Sequence, residues 1–145
     1  GCNLSFAGLK TAILRITKDI KTEQEKFDLA ASFQKTVEEI LYQKSKVAFK
    51  EFKNFNNNKG DTFVVAGGVA ANKKIREVLK NLCKEEKFNA IFPAINLCGD
   101  NAAMIALVGL EKFKLNQFNE LDHPANPRWP LDKNAIFLKG SGVRL

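Results

Sequence analysis

Histidine is nearly absent: the chain has one, His123, among 145 residues. With a single imidazole there is no HxxxH pair and no HExxH, so neither a self-contained histidine metal site nor a zinc peptidase centre can be built from this sequence. Cysteine is scarce too. Cys2, Cys83 and Cys98 are odd in number, far apart and free of any CxxC spacing, which supports neither a disulfide framework nor a zinc knuckle. Reduced thiols of a cytosolic protein are the expectation. Long apolar runs are missing: the longest stretch of small and apolar residues, Ala102 to Leu110, falls far short of the roughly 20 needed to cross a bilayer. The N-terminus shows no basic region followed by an apolar stretch, so no signal peptide is read, and no membrane partner. Repeats and low-complexity segments are also lacking. These absences leave a soluble, cytoplasmic protein as the expectation.

The composition is that of a globular chain. Apolar residues make up 45%, and 145 residues suffice for one domain with a proper core. The first residue is glycine rather than methionine, which suggests a chain processed, tagged or cut from something longer. There are 23 basic and 16 acidic residues, a net charge of +7, with a pI near 9.4. An excess of this size suits a polyanionic partner, since each neutralised phosphate releases counterions. Charge alone does not say which.

Hydrophobic spacing predicts a short amphipathic helix from Gly8 to Ile20, with Ser5 placed to cap it. A long helix follows from about Glu25 to Phe52, its stripe traced by Phe27, Ala30, Phe33, Val37, Ile40, Leu41, Lys44, Val47, Ala48 and Phe52. Asn56, Asn57, Asn58, Lys59 and Gly60 form a turn cluster. Thr62 to Ala66 reads as a buried strand running into Gly67 and Gly68. A helix is predicted from about Ala70 to Glu86, with Val69, Ile75, Val78, Leu79 and Leu82 facing inward. A short strand from Asn89 to Phe92 closes at Pro93. Asp100 then opens a third long helix in which Met104, Ile105, Leu107, Val108, Leu110 and Phe113 are expected to be mostly buried. Beyond Asn116 the chain reads as loop, with Pro124, Pro127 and Pro130 around Trp129 and a last strand or extended tail from Ala135 to Leu138. Alternation of strands and helices after Asp61 makes the class α/β. A long helix ahead of the strands is unusual for a self-contained doubly wound domain, which suggests that part of the fold is missing.

Three segments offer chemistry. In Thr62 to Arg76 a strand ends in paired glycines and turns into a helix, where a ligand can approach the backbone closely and meet helix amides. Asn72, placed in the first turn, offers a donor and an acceptor for a ribose or base edge. The alternative is a tight turn with nothing bound. In Leu97 to Ala106, Asp100 stands at a helix start, where a carboxylate can cap the helix, bind a metal or repel a phosphate. If it binds metal, most of the ligand set lies outside this chain. Lys73, Lys74 and Arg76 after the glycine turn either meet phosphate or form a solvated face. The third segment, Ser5 to Ala12, reads on its own as a capped helix start.

Together these segments resemble one family. SFAGLKTA is similar to its FSFSGLKTA signature, and Asp28 to Gln34, DLAASFQ, to its DIAASFQ helix. VVAGGVAANKKIR and LCGDNAAMIA resemble its nucleotide- and metal-binding signatures, and PRWPL at Pro127 to Leu131 its C-terminal end. Five motifs in order and in register identify the chain as resembling the C-terminal half of the tRNA adenosine threonylcarbamoyltransferase family, formerly labelled a glycoprotein endopeptidase. The resemblance implies one domain over residues 1–145, the C-terminal lobe of a two-lobed actin, Hsp70 and sugar-kinase-like fold, with the N-terminal lobe absent. It also implies transfer of threonylcarbamoyl from threonylcarbamoyl-adenylate to an adenosine beside the tRNA anticodon. Asp100 matches a ligand of one divalent metal ion, iron or zinc. Asn72 matches an adenylate contact, with Gly67 and Gly68 as the turn beneath it. The family's HxxxH ligands belong to the other lobe, so the chain alone is expected to be inactive and not to hold the metal. Implied partners are tRNA, threonylcarbamoyl-adenylate, a paralogous subunit and a small ATPase. Two departures stand out: Ala7 replaces the usual serine, and Gly99 replaces the usual threonine before the aspartate. A second reading, from a different class, is a non-catalytic module that binds protein or RNA. Self-association through apolar surface is expected if the other lobe is missing.

Overall fold

The computed structural model describes residues 1–57, 59–122 and 124–125. Asn58, His123, the PRWPL segment, Trp129 and the stretch expected from Ala135 to Leu138 lie outside them. The chain divides into two compact units, Gly1–Asp100 and Asn101–Leu145. The first holds helices α1 (Ala7–Ile16), α2 (Glu23–Phe55) and α3 (Lys73–Glu86), strands β1 (Thr62–Val64) and β2 (Asn89–Ile91), and two short 3-10 turns, Gly68–Ala71 and Ile95–Leu97. In the second, helix α4 (Ala102–Lys114) is the one regular element among the described residues.

Helix α1 stops at Ile16, short of the predicted Ile20, and Ser5 does not cap it. Phe6 occupies the N-cap position and makes no side-chain bond. Ser5 lies one residue too early for its hydroxyl to reach the first-turn amides. Helix α2 starts earlier than its apolar stripe suggests because Thr22 and Glu25 form a capping box. The Thr22 hydroxyl accepts from Glu25 N at 3.2 Å, and the Glu25 carboxylate accepts from Thr22 N at 3.0 Å and Lys21 N at 2.7 Å.

The core of the first unit lies between the C-terminal half of α2, α3 and the sheet. Phe49, Ile75, Leu79, Leu82, Cys83 and Phe88 are buried, with Val37, Leu41, Tyr42, Phe63, Val65, Ala90 and Phe92 packed against them. Phe49 stacks on Phe88 at 4.0 Å and meets the edge of Phe63 at 4.8 Å, the second an edge-to-face arrangement that aromatic quadrupoles favour. Phe49 is the one buried residue of α2, although it falls outside the predicted stripe. The N-terminal half of that stripe is open, with Phe27 62% exposed. Val69, expected to face inward with Ile75 and Leu79, is likewise exposed. It sits on the 3-10 turn, whose tighter winding puts it out of phase with α3.

β1 and β2 pair in parallel, with Phe63 opposite Ala90, and α3 forms the crossover between them. The strands are shorter than predicted, and β1 is not buried on both sides. Phe63 and Val65 pack on the core while Val64, between them, is 60% exposed. The alternation follows from the period of two along a strand, with a covering layer on one face.

In the second unit the expectation of burial fails. Every large apolar residue of α4, including Met104, Ile105, Leu107, Val108, Leu110 and Phe113, is exposed. The helix is apolar nearly all round, as a fully enclosed helix would be. No layer among the described residues of its unit covers it.

Two outcomes follow from this packing. Leu82→Ala, which empties a fully enclosed site, is expected to destabilise the chain by about 2–5 kcal/mol, read by urea unfolding. The amides of Lys21 and Thr22 hold the Glu25 carboxyl below its ordinary value. A folded value below the unfolded one means that the box stabilises above about pH 4.3 and fails as pH falls through the folded value. Glu25→Gln should therefore flatten the acid side of a plot of melting temperature against pH. An unchanged acid limb would refute this.

Candidate functional site

The glycine turn is built from the backbone upward. Gly67 has φ 87° and ψ 173°, a conformation that side-chain-bearing residues rarely adopt. A β-carbon at Gly67 or Gly68 would meet nothing within 4 Å, so the space above the turn is open. The 3-10 turn uses up Gly68–Ala71, which moves Asn72 from the predicted first turn to the N-cap of α3. Its Oδ1 accepts from Lys74 N at 3.0 Å and Ile75 N at 3.2 Å. Its Nδ2 donates to Gln34 Oε1 at 2.9 Å, and Gln34 Nε2 in turn donates to Glu38 at 2.7 Å. A side chain whose donor and acceptor suit a ribose or base edge is thus already engaged at both ends. It joins the DLAASFQ helix to the glycine-turn segment, and Gln34 is a positioning residue that the sequence pattern contained but did not assign.

Arg76 performs the second junction. Its Nε donates to Ala70 O, and one terminal nitrogen donates to Pro93 O at 2.6 Å and to Cys98 Sγ at 3.0 Å. The guanidinium carbon lies 5.1 Å from the centre of the Phe92 ring, within cation–π range. Neither sequence alternative for Arg76, phosphate contact or solvated face, describes it. The side chain is half-buried and fastens the 3-10 turn to the segment that leads into Asp100. Lys73 and Lys74 remain on the surface, Lys74 paired with Glu77 at 3.2 Å.

Asp100 is exposed and does not cap α4; that position belongs to Asn101, whose side chain accepts from Met104 N at 3.0 Å. Asp100 makes no hydrogen bond or ion pair with the described residues. Among those residues no three histidine, cysteine, aspartate or glutamate side chains come together in a way that would hold a metal. One carboxylate does not fill a coordination shell of four or more ligands.

Beside the glycine turn runs an open groove of about 1220 Å³ between the N-terminal segment, α2 and β1. Gly68 and Asn72 line it, along with Phe6, Phe33 and Val69; Gly67 and Asp100 do not. Its charged lining consists of Lys10 and Lys44, with no carboxylate. The apolar floor suits a planar ring, and the two cations suit an anionic tail.

A family model described as tRNA N6-adenosine threonylcarbamoyltransferase matches residues 1–107. The chain is similar to tRNA N6-adenosine threonylcarbamoyltransferase of Pelagibacter ubique (strain HTCC1062), 79% identical over 145 residues that cover all of this chain and 41% of the relative. The protein of the same description from Ruegeria sp. (strain TM1040) is 43% identical, with 99% of this chain and 40% of the relative covered. That from Zymomonas mobilis subsp. mobilis is 42% identical over 98% of this chain and 38% of the relative. The chain therefore spans about two fifths of the length of the curated relatives it matches.

Removing the Arg76 tie should free the segment that carries Cys98. Arg76→Met leaves the carbonyls of Ala70 and Pro93 without their donor, at about 1–3 kcal/mol per group. In a Cys2→Ser background, the buried Cys98 should react with a thiol reagent at least tenfold faster than with Arg76 intact. An unchanged rate would show that the segment is held by something else.

Proposed function

The chain belongs to the tRNA N6-adenosine threonylcarbamoyltransferase family, and from that premise we propose that it is part of an enzyme transferring threonylcarbamoyl from threonylcarbamoyl-adenylate to an adenosine beside the tRNA anticodon. On this reading it forms the C-terminal lobe of a two-lobed actin, Hsp70 and sugar-kinase-like fold, and works in the cytoplasm with a paralogous subunit and a small ATPase. The reaction is acyl transfer. The exocyclic amine of adenosine bonds to the carbamoyl carbon, the bond from that carbon to the adenylate phosphate oxygen breaks, adenylate departs with the electron pair, and the amine gives up a proton.

The observation that carries the proposal is the junction of Gln34 with Asn72 at 2.9 Å beside a groove whose charged lining is two lysines. It brings family-like segments, distant in sequence, to one place. There the adenylate base would lie on the apolar floor and its phosphate toward Lys10 and Lys44. Gly67 and Gly68 would let the ligand approach the turn. With both ends of its amide engaged, Asn72 would meet the nucleotide by exchanging the Gln34 bond. Holding the adenylate in one orientation lowers the entropy cost of attack by a weak amine nucleophile.

A divalent metal, iron or zinc, would polarise the acyl carbonyl or anchor the substrate carboxylate in the full-length enzyme. Asp100 would supply one of its ligands. The described residues fit no more than that, so this chain's own part in the chemistry is binding and orientation.

A second reading, a protein-interaction module, draws on the open apolar surface of α2, where Phe27 and Phe55 are exposed. Light scattering behind size-exclusion chromatography would reveal self-association through it. For the catalytic reading, the full-length protein with its partners should modify unmodified tRNA given threonylcarbamoyl-adenylate, and this chain alone should yield no product. Product from the chain alone would overturn the expectation of inactivity, and none from the full-length assembly would overturn the functional reading.

A further inference from the structure

Helix α3 sorts its charges by face. Lys74 is taken up by Glu77 at 3.2 Å. Glu85 accepts from the Tyr42 hydroxyl at 2.6 Å, and Glu86 faces Lys46 at 3.5 Å and Lys53 at 3.9 Å, so both acidic residues at its C-terminal end turn toward α2. Arg76 is spent on the Ala70 and Pro93 carbonyls. What remains outward is Lys73, Lys80, Lys84 and Lys87, all exposed and with no carboxylate partner among the described residues. Their spacing places them on one ridge, about 21 Å long at 1.5 Å per residue. Lys80 holds its ammonium 5.6 Å from the centre of the Phe92 ring, which steadies the middle of the row.

Lys87 supplies an independent sign that the row is used. It stands at φ 59°, ψ 44°, with its N–H toward Lys84 O at 3.4 Å and Phe88 N–H toward Cys83 O at 2.7 Å. This is the Schellman closure, whose left-handed position ordinarily goes to glycine or asparagine. A lysine there costs backbone strain, and its exposed side chain recovers nothing through packing. Attraction to the helix dipole accounts for a cation in the last turn, which Lys84 already provides.

We propose that this ridge is a docking surface for the phosphodiester backbone of RNA, an inference that rests on the tRNA reading above and adds to it the surface involved. A membrane-surface helix would present an apolar face to lipid, but the apolar face of α3 is the core itself, through Ile75, Leu79 and Leu82. A protein interface would want apolar anchors at its centre, and the other exposed positions between Lys73 and Lys87 are Lys74, Glu77, Asn81 and Glu85, none of them apolar. A row of cations without apolar anchors, densest from Lys80 to Lys87 and interrupted only by Glu77, itself paired with Lys74, suits a partner that is itself a row of charges.

The test measures binding of this chain to unmodified tRNA between about 50 and 200 mM salt. Replacing Lys73, Lys80, Lys84 and Lys87 by glutamine should make the slope of log affinity against log salt shallower by about 3. The same change at exposed Lys18, Lys21, Lys50 and Lys59 should move it less than half as much. Lys87→Gly should raise the melting temperature while reducing the slope by roughly 1, a pairing that a merely structural lysine would not give. Equal effects of the two quadruple variants, no salt-dependent binding by the unaltered chain, or loss of phosphatidylserine vesicle binding with tRNA binding intact would each overturn the proposal. Because the readout is binding, a failure of threonylcarbamoyl transfer in the full-length assembly would remove the functional reading and leave the ridge standing.

Discussion

One guanidinium sets the geometry of the first unit. Without Arg76, the 3-10 turn after Gly67 and the segment from Pro93 to Cys98 would meet with carbonyls facing each other and no donor between them. Carbonyls cannot satisfy one another, and a half-buried one left unpaired carries a desolvation penalty. Arginine is suited to the task because its planar fork of donors reaches several acceptors at once, and Phe92 holds the plane in place. The path of the chain toward Asp100 is thus fixed from α3, an element that Ile75, Leu79, Leu82 and Cys83 anchor in the core of the unit.

Asn72 does comparable work at the other side of the turn. As N-cap it satisfies two helix amides, and through Gln34 it fixes where α3 begins relative to α2. Groups suited to hold a ligand are the same groups that hold the scaffold. Such sites are stiff, because loosening one contact releases a helix end as well. Stiffness of this kind favours orientation of a bound substrate over adaptation to it.

Much of the fold could be read from the sequence, for physical reasons. The α/β class, the order of elements and the position of α3 all follow from hydrophobic period, and Ile75, Leu79 and Leu82 are buried as the spacing required. Failures have specific causes. The start of α2 was legible in Thr22 and Glu25, three residues apart, but apolar periodicity begins later and drew the boundary with it. Phe49 escaped the stripe because burial in a helix this long depends on which stretch of it finds a partner. Val64 and the α4 residues look buried to a pattern that measures only apolarity; whether a layer exists to cover them is not a local property. Arg76 was illegible for a related reason, since its acceptors are main-chain carbonyls that every residue possesses. Motif order made Asn72 and the glycines stand out as candidates, while the partner that fixes Asn72, 38 positions earlier in the chain, became apparent only from the packing.

The sheet has a consequence of its own. Its two strands are three residues long, pair in parallel and leave one face open. A tight hairpin cannot add another parallel strand, so any further parallel strand must come through a long crossover or from a separate polypeptide. Edges this brief offer few free amides to a stray chain, which is how natural sheets resist fibre-like stacking. Loss of solubility in such a molecule would accordingly proceed through greasy side-chain contact, which detergent can reverse and added salt would strengthen, and not through the backbone zippering that makes amyloid permanent.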